Sequence, residues 1–331
     1  MKKFTKLVLA TSVAFSANAM AMQAMDDASL SETTGQDGIN IGIGISKVEI
    51  AKMYIHDNDG LADGSTYGYT PLNFSNPQAP VAGTAVSKAV NGGPNSGAAG
   101  ALAIDGITIT ANYDALLSSR NLMDLKIDSD GSSDGAFLNI AAAVSGLDID
   151  IGEISVARSG DVNATGIRRG VADGSEKAIL SGLRIKTGQM AANIQLGSSP
   201  QGAMILLDTT MVGGLTIEDL GILDNAGGGQ VTLGKIQVAD ANSTDLAIEA
   251  KISVTTDGLE ITSVKDANFA GTDIYIQGVH LGAAAPSYAN VTRGTNVGGS
   301  IGDVEIQGMK TSYGNKSTGY IPGSIITVSG R

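Results

Sequence analysis

Two copies of one acidic pattern are the clearest candidate for chemistry in this sequence. Residues 57–64 read DNDGLADG and residues 128–135 read DSDGSSDG, so both follow D-x-D-G-x-x-D-G. Closely spaced carboxylates on a loop that bends at glycine can surround a hard cation such as calcium with oxygen ligands. The candidate metal ligands are therefore Asp57, Asp59, Asp63, Asp128, Asp130 and Asp134.

The acidic pattern has a second interpretation. Neither copy completes the EF-hand loop, which needs a further Asp or Asn before the glycine and a Glu at its end. Asp-Gly turns between strands produce the same residues at the same spacing. Calcium is the one candidate cofactor, and on sequence alone both interpretations stay open.

Two motifs that occur in enzymes are incomplete in this chain. GGSIG at 298–302 matches G-x-S-x-G around Ser300, but both histidines, His56 and His280, precede that serine, whereas such a hydrolase needs a later one. GQVTLGK at 229–235 lacks the Ser or Thr of a phosphate-binding loop. Two His and no Cys also exclude the ordinary zinc sites. We predict that the protein is not an enzyme, and strand alternation predicts a solvated face for His280.

The start of the chain has the pattern of a secretory signal peptide. Within residues 1–21, Lys2, Lys3 and Lys6 precede a short apolar stretch, and small residues at the end fit a cleavage site. The apolar stretch is too short to span a bilayer. Glycine or polar residues interrupt every later apolar run. The sequence predicts export through the inner membrane to the periplasm or the cell surface (fimbrium), with no membrane span in the mature protein.

Composition narrows the class of fold and partner. The net charge of −12 disfavours nucleic acid as a partner, because phosphates repel an acidic surface. The absence of Cys means that no disulfide can brace the fold. With 4% aromatic residues and 45 Gly, the chain cannot fill a thick core with large rings. A thin, layered β-structure built on aliphatic side chains fits this composition.

Aliphatic residues alternate along the chain and then step by three. Leu147, Ile149 and Ile151 alternate, and Ile154 and Val156 follow after the step. Such a step would turn side chains to the other face, unless the strand bends or bulges at a residue that tolerates positive φ. Glycines lie at or beside several of these steps: Gly152, Gly221, Gly234, Gly278 and Gly308. Each unit is therefore predicted as strand, corner, strand.

The recurrence of these units predicts the architecture. From residue 217 onward the steps are spaced by roughly multiples of 15 residues, as expected for units stacked along an axis. We predict an all-β protein, specifically an elongated β-solenoid or β-helix-like stack of short strands with corners. An antiparallel β-meander or sandwich is the alternative. The best helix candidate runs from Tyr113 to Leu125, with Asp114 as its cap.

Composition also divides the chain into segments. A polar stretch at 282–300 is predicted as an exposed loop, where binding residues commonly lie. The predicted segments are the signal peptide at 1–21, an N-terminal signature with the first strands at 22–59, a Pro/Gly/Ala-rich loop or linker at 60–100, and a repetitive β domain at 101–331.

The segment after the leader carries a more specific signal. Residues 22–43 read MQAMDDASLSETTGQDGINIGI, which resembles the N-terminal signature M-Q-x-[ML]-D-D-x-x-L-S-x-x-x-G-Q-x-G-I of pilus-system proteins of the FilA type in Gram-negative bacteria. The matching residues are Met25, Asp26, Asp27, Leu30, Ser31, Gly35, Gln36, Gly38 and Ile39. The resemblance implies an exported protein of a surface filament system, with pilus-system or self-assembly partners. It carries over no catalytic residue.

The sequence thus predicts an exported, pilus- or fimbria-associated structural or adhesive protein of the bacterial cell surface that is not catalytic. The alternative is a secreted, calcium-stabilised, β-rich binding module for carbohydrate or a host surface. The two hypotheses differ in whether the acidic loops hold a metal and in whether the partner is a filament.

Overall fold

The computed structural model describes residues 38–60, 98–131, 133, 135–162, 166–265, 268–315, 317 and 319–329. Nearly all regular structure in these ranges is β-strand, so the all-β prediction is confirmed. The strands are β1 (Ile39–Ile43), β2 (Lys47–Ile50), β3 (Met53–Asp57), β4 (Gly100–Ile104), β5 (Ile107–Ala111), β6 (Met123–Asp130), β7 (Phe137–Val144), β8 (Leu147–Ile151), β9 (Ile154–Arg158), β10 (Lys177–Leu180), β11 (Leu183–Lys186), β12 (Met190–Gly197), β13 (Ile205–Met211), β14 (Leu215–Asp224), β15 (Gly229–Asp240), β16 (Leu246–Thr255), β17 (Gly258–Val264), β18 (Thr272–Leu281), β19 (Val304–Met309), β20 (Ser312–Asn315) and β21 (Gly319–Val328).

The helix predicted over Tyr113 to Leu125 is wrong. A single turn of 3-10 helix occupies Tyr113–Ala115, and its cap is Asn112, whose side-chain oxygen accepts a hydrogen bond from the Asp114 amide. From Met123 onward the chain is strand β6. Cross-strand pairing of Met123, Leu125 and Ile127 on both sides outweighs the weak local preference for helix.

The strands form two sheets. Sheet A has the order β1-β6-β7-β12-β13-β16-β17-β21-β20. In sheet B, the long strand β14 pairs with β11 through its first half and with β10 through its second. Strands β2, β5, β8 and β11 therefore form one half-sheet, B1, while β3, β4, β9 and β10 form another, B2. Strands β15, β18 and β19 continue the sheet from the other side of β14.

The ladders between the described strands are all antiparallel. Coils of a solenoid that stack in one direction pair as parallel neighbours, so the solenoid prediction is not confirmed. A sandwich buries the inner faces of both sheets, and it is not confirmed either. The buried apolar side chains of the described residues are few, namely Ala101, Ala103, Ala115, Ala203, Met211 and Tyr288.

Aliphatic residues stand directly opposite one another across whole sheets. Each such line of cross-strand partners is a contiguous apolar ridge, and β-branched side chains suit these positions. Row A, in sheet A, consists of Ile39, Ile127, Ile140, Ile194, Ile205, Ile252, Ile261 and Ile326. Row B1 consists of Val48, Ile109, Ile149, Ile185, Ile217, Ile236, Ile276 and Val304. Row B2 consists of Met53, Ile104, Ile154, Leu180, Ile222, Val231 and Leu281.

The step of three in β18 keeps side chains on their faces, as the corner prediction requires. Gln277 donates from Nε2 to the carbonyl of Thr292, and His280 Nε2 is hydrogen-bonded to Tyr288 Oη. Both partners belong to one segment, so Gln277 and His280 share a face although three positions separate them. Gly278 between them has φ +71°, a conformation that glycine adopts without strain.

Candidate functional site

The first acidic copy lies at the end of a strand of sheet B. Asp57 closes β3, and its Oδ1 accepts a hydrogen bond of 3.2 Å from the amide of Gly60. This is the Asp-Gly turn that the sequence left open as the second interpretation. Asp59 lies within the same turn, and Asp63 lies outside the described residues.

The second acidic copy lies on sheet A. Asp128 and Asp130 are the last acidic residues of β6, opposite Asn139 and Phe137 of β7, and Asp134 lies outside the described residues. The two copies thus occupy different sheets. Among the described residues, no group of three or more His, Cys, Asp or Glu side chains is placed to hold a metal ion. Calcium binding stays a prediction.

A row of alternating charges runs from half-sheet B1 across the adjoining strands β14 and β15 of sheet B. Asp150, Arg184, Glu218 and Lys235 are successive cross-strand partners. Arg184 Nε lies 2.6 Å from Asp150 Oδ1, and this hydrogen bond raises the pKa of the guanidinium. Lys235 Nζ lies 3.6 Å from Glu218 Oε1, and the Glu218 side chain is 4% exposed. Residues of opposite charge therefore lie directly opposite each other on neighbouring strands, an arrangement in which cross-strand side chains attract each other.

A polar groove of about 500 Å³ opens beside this charged row. Asp150 and Arg184 line one side, Gln230 and Thr232 line another, and Asp219 lies between the two halves of β14. Asp219 has φ +62°, a left-handed conformation that Asp tolerates better than most residues. Asp219 occupies the step between Ile217 and Leu220 and adopts the left-handed conformation there. The sequence pattern predicts that the neighbouring Gly221 does so.

Asp219 carries an electrostatic penalty in the folded protein. Desolvation raises the pKa of its carboxyl, the neighbouring Glu218 raises it further, and Arg184 partly offsets both. An acid whose pKa is raised by folding lowers stability above that pKa, and the cost disappears as pH falls through it towards the ordinary value.

We therefore expect Asp219→Asn to stabilise the protein at neutral pH. Asn tolerates the left-handed conformation and removes the charge. The gain should stay below about 1 kcal/mol, because the groove is open to solvent. Urea unfolding at several pH values should show the gain shrinking as the solution is acidified. A gain that grows on acidification, or a less stable variant at neutral pH, would contradict this assignment.

The segment between β18 and β19 folds back over the polar face of sheet B. Tyr288 is 1% exposed and its Oη lies 2.9 Å from Nε2 of His280, which is 4% exposed. The prediction that His280 lies on a solvated face is therefore wrong, because Tyr288 covers it. Gly234 and Gly278 accommodate the ring, since a Cβ on either would lie 2.1 or 2.0 Å from it.

The G-x-S-x-G motif is part of the same fold-back. Ser300 pairs with His280 as an isolated backbone bridge, and its hydroxyl donates to the carbonyls of Val279 and Gly302. His280 Nε2 bonds Tyr288. The contacts of Ser300 are those of a turn, and the motif contributes to local structure.

Sheet A has two chemically distinct faces. One face contains row A and the residues two positions before and after it on each strand, and we call it the apolar face. On the other face, Asp124, Lys126 and Asp208 line an alanine-floored cavity of about 470 Å³, and Glu249 and Lys251 lie on the neighbouring strand β16. Every member of row A keeps some exposure to solvent. The described residues thus leave the apolar face at least partly uncovered.

Comparison with known proteins adds one finding. The model of a family of unknown function (DUF6160) matches residues 1–85. Of this region the structure describes residues 38–60, which form β1, β2 and β3. No curated protein and no solved structure shows significant similarity to this chain. In the part that the structure describes, there is no helix of the length and apolarity needed to cross a membrane.

Proposed function

We propose that the protein is an exported, pilus- or fimbria-associated structural or adhesive component of the cell surface, which acts through its sheets. The observation that carries the proposal is the apolar face of sheet A. It crosses eight strands in row A alone, and its members stay partly exposed among the described residues. Monomeric soluble proteins rarely expose apolar patches beyond about 300–600 Å², and larger ones commonly mark sites of interaction.

The sheet architecture supports a mechanical role. We take the molecule as an antiparallel β-scaffold in which the hairpins β6-β7, β12-β13, β16-β17 and β20-β21 add strands in turn at one edge of sheet A, while the strands between them build sheet B. Each added strand supplies one more aliphatic residue to a row and one more set of backbone hydrogen bonds. Such a scaffold spreads a load over many equivalent ladders, and the chain has no Cys with which to form a disulfide.

The place of action follows from the leader and from the signature after it. Residues 1–21 have the pattern of a secretory signal peptide, and residues 22–43 resemble the FilA-type signature. Both favour a protein that leaves the cytoplasm and works in the periplasm or on the cell surface, with pilus-system or self-assembly partners.

Immunogold labelling of the producing cells tests this proposal. We expect gold particles on filaments or on the outer surface, and we expect cells lacking the gene to attach less well to surfaces or to carry fewer filaments. The same cells complemented with the wild-type gene are the control. Label confined to the periplasm, together with unchanged filaments and attachment in the deletion strain, would contradict the role.

A further inference from the structure

We propose that the apolar face of sheet A is a self-association surface, occupied by the same face of a second copy of this chain. This assignment gives a partner to the surface that carries the proposed function, and it rests on that function. The area of the face, the shape of its rows and the distribution of charge support it.

The area is that of a stable interface between two proteins. Side chains exposed by more than a third on this face are Ile39, Ile41, Leu138, Leu196, Val254, Ile326 and Val328. Together these seven residues present on the order of 600 Å², at the top of the range for the largest patch on a monomer. The partly exposed members of row A add to this, which brings the face to about the 800 Å² that each partner buries in a standard interface.

The shape of the face is self-complementary. Row A is a ridge of eight isoleucines. A second row lies two positions from row A on each strand, and we call it the groove because most of its side chains are small. The groove consists of Ile41, Leu125, Ala142, Ala192, Leu207, Ala250, Ser263 and Ser324. When two such sheets meet face to face about 10 Å apart, the isoleucine ridge of each sheet can enter the groove of the other. A two-fold axis brings the same patch of both copies together.

The distribution of charge makes the apolar face the surface through which two copies of this chain can meet. The chain has a net charge of −12, so two copies repel each other through most approaches. The strands of sheet A direct their charged side chains, such as Lys126, Asp208 and Glu249, to the opposite face by strict alternation. Contact through the apolar face keeps these charges in water, so association there desolvates no ion.

Two neighbouring residues of β21 give a matched pair of variants. Ile326 belongs to row A and is 54% exposed, whereas Ile325 faces the charged side opposite Thr262 and is 46% exposed. An aspartate at either position alters an exposed isoleucine of the same strand. The two variants differ chiefly in the face that they change.

Sedimentation equilibrium of the purified full chain over a range of concentrations tests the proposal. We expect the wild type to form a dimer. Ile326→Asp should weaken dimerisation at least about 100-fold, because two buried isoleucines are lost per symmetric interface. Ile325→Asp should change it by less than about threefold. A wild type that stays monomeric, or equal effects of the two variants, would overturn the proposal.

Other occupants of the face give different results. If residues 61–97 of the same chain cover it, the wild type is a monomer and Ile326→Asp alone lowers its thermal stability. If a lipid surface covers it, the monomer binds neutral phospholipid vesicles and Ile326→Asp abolishes that binding. Either result overturns self-association. The gold-labelling experiment still tests the surface role by itself, so failure of the two ideas can be told apart.

Thiol labelling reports directly whether the side chain at position 326 is covered in the dimer, and it does so even where a substitution lowers the stability of the fold. The chain has no Cys, so an introduced one is the only reactive thiol. We expect Ile326→Cys to be protected from a maleimide at concentrations where the protein is dimeric and to react on dilution. Ile325→Cys should react at all concentrations. Equal reactivity of the two thiols at high concentration would overturn the proposed interface.

Discussion

Tyr288→Ala should lower the free energy of unfolding by about 3–5 kcal/mol, as the loss of a buried aromatic ring typically does. Tyr288 is 1% exposed, and its ring packs against the backbone of Gly234 and Gly278. Its hydroxyl also bonds His280 Nε2, which is buried beneath it. The change therefore leaves both a cavity and an unpaired ring nitrogen. Urea unfolding followed by circular dichroism measures the loss.

Three further variants distinguish the contribution of the Tyr288 ring to stability from that of its hydroxyl and from the effect of replacing an exposed tyrosine. Tyr288→Phe keeps the ring and should cost about 1–3 kcal/mol, as expected for an unsatisfied buried polar group. Tyr113 is 79% exposed, so Tyr113→Ala should stay within about 0.5 kcal/mol of wild type. Gly234→Ala should be severe alone and mild beside Tyr288→Ala, because the ring is what its Cβ would strike. A Tyr288→Ala variant as stable as Tyr113→Ala would contradict the assigned packing.

The rows could be predicted from sequence because they depend on local periodicity. Alternation of Leu147, Ile149 and Ile151 specifies one face of a strand wherever its neighbours lie. The direction of pairing could not be predicted in this way. Parallel coils and antiparallel hairpins place the same aliphatic residues on the same face, so spacing near 15 residues fits either.

The glycines at the steps serve two different physical needs, which the sequence cannot separate. Gly278 has φ +71° and supplies the left-handed conformation that the corner uses. Gly152 does not adopt positive φ, and it is required because a Cβ there would lie 1.9 Å from the carbonyl oxygen of Asp105, in the connection between β4 and β5. The first need is local, whereas the second depends on a segment 47 residues earlier in the chain (152 − 105).

The candidate sites show the same division. The Asp57 turn could be foreseen, because Asp and Gly three positions apart form it within one short segment. The burial of His280 could not, since it depends on Tyr288 folding back from a stretch whose composition is typical of an exposed loop. Alternation within a strand predicts which side chains share a face. It carries no information about whether another segment of the chain packs on that face.

Lys235→Met should destabilise the protein by about 3 kcal/mol, the lower part of the range for removing one partner of a buried ion pair. Glu218 is 4% exposed in its side chain, and Lys235 Nζ lies 3.6 Å from it. Without the ammonium, the carboxylate stays in a site that water reaches poorly. Arg184 is the cross-strand partner of Glu218 on the other side and retains part of the compensation, which keeps the expected loss near the lower limit.

Glu218→Gln, which changes the other partner of the pair, should cost less stability than Lys235→Met, because the two side chains differ in their access to water. Lys235 is 19% exposed, so its flexible chain can carry the ammonium into solvent when Glu218→Gln removes the carboxylate. We expect a loss of about 1 kcal/mol there, and a coupling of about 1–3 kcal/mol in the double-mutant cycle. Lys47 and Glu49, which are 50% and 65% exposed, form the control pair, and Lys47→Met should change stability by less than about 1 kcal/mol. If Lys235→Met and Lys47→Met had equal effects in urea unfolding, the Glu218–Lys235 pair would stabilise the fold no more than a solvated pair does, and the aliphatic rows and backbone ladders alone would hold sheet B together.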